Sequence, residues 1–90
     1  MNKRIAVLVR DRQSEALRMA LGLVLLDDAV DVYVLDRKLE DTEEVSLNLS
    51  TLQEFDFRIY TNEPANEGLV YLSAEQIARK VCEYDHAIAY

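Results

Sequence analysis

Three short polar clusters each close an apolar, β-rich run. Arg10-Asp11-Arg12 follows Ile5–Val9, Asp36-Arg37 follows Asp31–Leu35, and Thr61-Asn62 ends the run that begins at Phe57. Arginine offers a planar fork of charged donors, and the start of a helix offers unpaired backbone N–H groups; both attract anions. The clusters are therefore of a kind that holds a small anionic ligand at one edge of a sheet. Mixed charges on a loop rim also form surface ion pairs of little individual worth, so the residue types alone leave both readings open.

The chain has one cysteine, Cys82, and one histidine, His86. A reactive thiol usually sits in an electropositive, accessible spot or at a helix N-terminus. Cys82 instead falls near the end of a helical segment, four residues after Ala78 and next to Val81, where the helix dipole opposes thiolate formation. It reads as a small buried hydrophobe and is only a weak catalytic candidate. His86 reads as a partly buried polar residue at the mouth of a strand, with no nucleophile placed beside it. One His and one Cys do not make a usual zinc set, so no metal site is expected. No glycine-rich loop follows the first strand, which removes support for a dinucleotide or P-loop site. Nor is Arg10–Ser14 rich in Ser, Thr and Gly as a flavodoxin-type phosphate loop is, and a phosphoacceptor domain would carry aspartate where Thr61 and Asn62 stand. No cofactor is expected.

The elements that must position these residues begin with residues 4–36, a strand–helix–strand unit. Ile5–Val9 is continuously apolar and β-branched, as in a strand buried on both faces. Glu15–Leu26 is built of strong helix formers, Asp27-Asp28-Ala29 interrupts, and Asp31–Leu35 is a second strand. Two strands joined this way should be parallel, with a right-handed crossover. The helix is apolar nearly all round, with only Glu15, Arg18 and Gly22 on a polar stripe. Such a surface exceeds what one sheet covers: either neighbouring helices of the same chain cover the surplus, or it forms a subunit interface through Met19, Leu23 and Leu26, and the interface is the expectation. Gly22 would permit close approach of another backbone. Residues 42–54 carry acidic residues at the start and apolar Val45, Leu49 and Leu52 at helical spacing. Although Val45, Leu47 and Leu49 also alternate as in a strand, parallel strands need a crossover here, so a helix is expected. Phe57–Thr61 is the third strand, and Asn62–Gly68 a loop. Leu69–Leu72 is a short apolar run before Ser73, an N-cap with Gln76 at capping-box spacing. Ala74–Tyr84 is the third helix, and His86–Tyr90 a last strand whose Ala87 and Ala89 share one face. The sum is a three-layer α/β domain, β-α-β-α-β-α-β, with a four-stranded parallel sheet in the order 2-1-3-4. Ligands would meet the carboxyl ends of its strands near the point where strand order reverses.

Ninety residues, half of them hydrophobic and with only two glycines and one proline, suit a single domain over residues 1–90. The formal net charge of −7 disfavours nucleic acid as a partner. No apolar run is long enough for a membrane span, and the five-residue run before Arg10 is shorter than a signal-peptide core, so a soluble cytoplasmic protein is expected.

Two stretches resemble the DsrE-like family, the small sulfur-relay domains related to the Tus and Dsr proteins. EALRMALGLVLLDDAVDVYVL (Glu15–Leu35) is similar to that family's opening helix and second strand. YLSAEQIARKVCEYDHAIAY (Tyr71–Tyr90) is similar to its closing pattern of apolar run, Ser, helix, Asp and short strand. The resemblance implies a flavodoxin-like three-layer fold and assembly with further copies or related DsrE-like subunits. In active members it also implies a persulfide-carrying cysteine in the loop after strand three. Arg58–Leu69 contains no cysteine. The expectation is therefore a non-catalytic homo-oligomer or structural or regulatory subunit. The alternatives are a persulfide carrier acting through Cys82, and a binder of small anionic ligands at Arg10, Asp11, Arg12, Asp36, Arg37, Thr61 and Asn62.

Overall fold

A computed structural model of the chain describes residues 3–24, 29–55 and 58–89. The elements are β1 (Arg4–Val9), α1 (Gln13–Val24), β2 (Ala29–Val34), α2 (Glu43–Glu54), β3 (Arg58–Thr61), β4 (Val70–Tyr71), α3 (Ala74–Val81) and β5 (His86–Ala89). The strands form one all-parallel sheet in the order β4-β3-β2-β1-β5. Ile5 lies opposite Val30 and Val9 opposite Val34, so the two strands most buried on both faces form the centre.

The expected α/β layering is present, but the sheet has five strands rather than four, and their order is not 2-1-3-4. The extra strand is the two-residue β4, drawn from the short apolar run before Ser73; it pairs with β3 at Tyr60 and Thr61. The order follows from helix packing. α1 and α2 lie side by side on one face, where Arg18 pairs with Glu44 at 2.9 Å and Asn48 Nδ2 donates to the Ser14 carbonyl at 3.3 Å. Two right-handed crossovers with their helices on the same face must step in the same direction, β1 to β2 to β3. The return from β4 to β5 steps the other way and carries α3 to the opposite face. Strand order consequently reverses between β1 and β5, not between the first and third strands.

Two cores result from the strict alternation of side chains along each strand. Ile5, Val7, Val9, Val30, Val32, Val34 and Ile59 face Ala16, Leu17 and Ala20 of α1 and Val45 and Leu52 of α2. On the other face Ala6, Tyr33, Leu35 and Tyr60 meet Ile77 of α3. Thr42 caps α2 as its hydroxyl accepts from the Val45 amide, and Glu43 and Glu44 occupy the first turn. The helical rather than the alternating reading of this segment holds. α3 carries the expected capping box between Ser73 and Gln76.

Much of the apolar surface of α1 is covered within the chain, by the sheet and by α2. Met19, Leu21 and Leu23 are half-buried against the first core. Leu26, the third expected interface residue, lies outside the described residues, as does the helix beyond Val24. A Cβ at Gly22 would meet nothing within 4 Å, so no backbone approaches it closely here. Ala87 and Ala89 pair with Ala6 and Leu8, share the α3 side of the sheet, and are exposed. Among the described residues no helix is long and apolar enough to cross a membrane.

Candidate functional site

The carboxyl ends of β1, β2 and β3 are adjacent, and their loops are tied together by two buried amides that carry no charge. Gln13, 3% exposed, opens α1. Its Nε2 donates to the carbonyls of Arg10 and Lys38, both at 3.3 Å, and its Oε1 accepts from the Glu40 amide at 2.7 Å. Asn66, in the loop after β3, accepts from the Leu39 amide at 2.8 Å and donates to the Arg37 carbonyl and to Thr61 Oγ1, each at 3.0 Å. Buried amides held by three partners each are costly to disturb, so the loop backbones are fixed relative to one another. Thr61 belongs to this framework: it is fully buried, with its hydroxyl occupied by Asn66 and the Glu63 amide.

On that frame stands a polar triad. Arg10 Nε donates to Asp36 Oδ2 at 3.0 Å, Asn62 Nδ2 donates to Asp36 Oδ1 at 2.9 Å, and the Asp36 amide donates back to Asn62 Oδ1 at 2.7 Å. Asp36 adopts φ +66°, a left-handed conformation that aspartate tolerates better than most residues. The bonds from Asn62 and then from Arg10 hold its carboxyl below the usual carboxylate range. Both side chains of the Arg10–Asp36 pair remain roughly half exposed, at 45% and 56%, so water screens the pair and it adds little stability.

The other sequence candidates stand apart from this triad. Arg37 pairs with Asp11 at 2.8 Å in a separate exposed bridge. Arg12 contributes its carbonyl to the Ala16 amide at the start of α1, and its side chain is exposed. The expected cluster thus resolves into Arg10, Asp36 and Asn62 together, Asp11 with Arg37 beside them, Arg12 at the helix start, and Thr61 inside the frame.

The triad rims a cavity of about 270 Å³ on the α3 side of the sheet. Leu8 and Leu35 form its floor, Ala74, Ile77, Ala78 and Val81 of α3 its wall, and Arg10, Asp36 and Asn62 its polar end. A larger cavity of about 430 Å³ lies between the amino end of β3 and the loop before β4, lined by Gln53, Arg58, Ile59, Tyr60, Gly68, Leu69 and Val70. The smaller one is the better site candidate, because it lies at the carboxyl edge of a parallel sheet and combines apolar walls with convergent polar groups. Its α3 lining has no separate signal in the sequence, because Ile77, Ala78 and Val81 carry only the spacing of an apolar helix stripe.

No family model, curated protein or solved structure matches this chain. The site therefore stands on its own chemistry.

Two further expectations are corrected by the geometry. Cys82 is exposed, not buried. The helix ends at Val81 with Cys82 as its C-cap, and the buried line runs through Ile77 with Val81 and Tyr84, leaving Ala78 and Cys82 together on the open flank. The thiol contacts the Ala78 carbonyl at 3.3 Å, one turn back, as a thiol donor does. His86 is also exposed, because it begins an edge strand. At the other end of α3, Tyr84 donates to Asp31 and so accepts from Tyr33 at 2.8 Å. Tyr33 stacks on Tyr60 with ring centroids 4.9 Å apart. Burial, followed by these bonds, raises the Tyr84 hydroxyl well above the ordinary tyrosine range, and burial raises Tyr33 as well. This cluster anchors α3 over β2 and β3. Among the described residues no group of three His, Cys, Asp or Glu side chains is placed to hold a metal.

Proposed function

We propose that this chain is a non-catalytic, cytoplasmic, DsrE-like domain with flavodoxin-like layering that binds a small organic ligand in the cavity beneath α3, the Arg10 end engaging an anionic group. One observation carries the reading: Arg10, Asp36 and Asn62 converge at one end of an otherwise apolar cavity at the carboxyl edge of the sheet. Among the described residues the lining includes no serine, cysteine, histidine or lysine, the side chains most used as nucleophiles, which favours binding over covalent chemistry. Persulfide transfer through Cys82 gains accessibility from the structure, but the thiol lies at the C-cap of α3 and is not among the residues that line the cavity.

The test is blockade. Ala78 is exposed on the cavity wall, so Ala78→Leu fills the space without opening the core. Small-molecule fragments that raise the melting temperature of the parent protein should fail to do so in Ala78→Leu. Equal shifts in both proteins would place binding elsewhere and refute the reading.

A second reading, assembly with further copies or with related DsrE-like subunits linked to sulfur metabolism, draws support from exposed Leu47, Phe55, Val70 and Tyr71, of which the last two lie on the sheet's open edge. Light scattering at micromolar concentration tests it: an oligomer that Tyr71→Lys converts to monomer supports that surface, and a monomeric parent protein removes it.

A further inference from the structure

The triad and the cavity walls together restrict what the ligand can be, and the restriction rests on the binding reading above. Arg10 is held through Nε by Asp36 Oδ2, and its two terminal nitrogens make no hydrogen bond among the described residues. A guanidinium fixed through Nε presents that outer edge as a planar pair of donors, the match for a carboxylate. Asp36 takes no part in holding an anion: its carboxylate only accepts, from Arg10 and from Asn62, and has no donor to offer. Its negative charge nevertheless offsets that of Arg10. The remaining attraction comes from Arg10's outer edge and from the positive end of the α3 dipole, which Ala74 brings to the cavity wall. That balance suits one negative charge and disfavours two or three. Among the described residues that line this cavity there is no glycine, whereas a phosphate cradle is built on a glycine-rich backbone. The rest of the lining is aliphatic, so a ligand that is all charge would leave Leu8, Leu35, Ile77 and Val81 wet. A volume of about 270 Å³ is at the small end for ligand sites.

We infer that the site takes a small monocarboxylate with an apolar body, a branched aliphatic acid or a single-ring aromatic acid, its carboxylate on the outer edge of Arg10 and its body between α3 and Leu8 and Leu35. Phosphates and nucleotides are the wrong class for it. Asn62 donates to Asp36 Oδ1 and so helps to fix the carboxylate that orients Arg10.

The experiment is an amide-resolved NMR titration of the full chain with 3-methylbutanoate and benzoate, their neutral amides, and inorganic phosphate. The carboxylates should shift Leu35 and Ala78 and bind about tenfold more tightly than the amides, as a charge-assisted bond in place of a neutral one implies. Arg10→Gln should bring that ratio close to one, and Ala78→Leu should remove binding of acid and amide alike. Both altered side chains are exposed, so the fold is retained and the spectrum reports it. Amides binding as tightly as acids, with Arg10→Gln unchanged, would overturn the carboxylate assignment while the cavity remains a binding site. Phosphate binding there more tightly than the acids would overturn it too. No probe shifting Leu35 or Ala78 would bring down the binding reading itself.

Discussion

Asp36 and Asn62 hold each other by two reciprocal hydrogen bonds, backbone amide to side-chain oxygen at 2.7 Å and side-chain amide to carboxylate at 2.9 Å. The exchange joins the ends of β2 and β3 and leaves one carboxylate oxygen for Arg10 on β1. Three strand ends are thereby committed to one orientation of a single arginine. The exposed position of the triad means that its value lies in orientation rather than in stability.

The left-handed backbone of Asp36 can be read separately from its side chain. Asp36→Gly and Asp36→Ala both lose the bonds to Arg10 and Asn62, but only alanine meets the steric cost of φ +66°. Urea unfolding should show Asp36→Ala less stable than Asp36→Gly by about 1 kcal/mol. Equal stabilities would mean that the loop relaxes out of this conformation.

The lowered ionisation of Asp36 fixes a sign for acid behaviour. A carboxyl whose pKa is lower folded than unfolded contributes stability above the unfolded value, near 4, and loses it as pH falls through the folded value. Between about pH 5 and pH 2 the parent protein should therefore lose more stability than Asp36→Asn, whose side chain does not titrate. Thermal melts of the two proteins across that range give the comparison, and parallel curves would show that Asp36 is not held by its neighbours.

The tyrosine pair gives the opposite limb. Tyr33 and Tyr84 both have raised hydroxyl pKa values, so their contribution is complete below about pH 10, where unfolded tyrosine ionises, and declines above it. Tyr84→Phe should cost about 1 kcal/mol at neutral pH, because Asp31 and Tyr33 each lose a partner. It should also flatten the loss of stability above pH 10. Chemical denaturation at pH 7 and at pH 10.5 tests both halves.

Exposure of Cys82 predicts fast modification. A bulky thiol reagent should label native protein at a rate close to that of the unfolded chain, with the melting temperature nearly unchanged. Incubation with a cysteine desulfurase and its substrate should leave no added sulfur mass. A stoichiometric adduct, lost in Cys82→Ser, would instead establish a carrier role.

Where sequence and structure agree, the signal is local. Thr42 with Glu43 and Glu44 marks the start of α2, and Ser73 with Gln76 marks that of α3, because capping is decided within four residues. β4 escaped as a strand because two residues carry no periodicity. The strand order escaped because it depends on where α2 packs, through Arg18–Glu44 and Asn48–Ser14, and such contacts leave no pattern along the chain. Cys82 was misplaced for a related reason: a helix stripe has two flanks, and only docking over Tyr33 and Tyr60 decides which one is covered. Of the site, the charged rim was legible because Arg10, Asp36 and Asn62 each follow a strand. The wall of the cavity was not, because Leu8, Leu35, Ile77 and Val81 carry only the signature of a core.

The most direct measurement is the effect of 3-methylbutanoate on the amide spectra of the parent protein and of Ala78→Leu. Saturable shifts confined to the carboxyl ends of β1 and β2 and the cavity-facing flank of α3, absent from Ala78→Leu, are the predicted result. Shifts scattered over the surface, or the same in both proteins, would contradict a ligand site beneath α3.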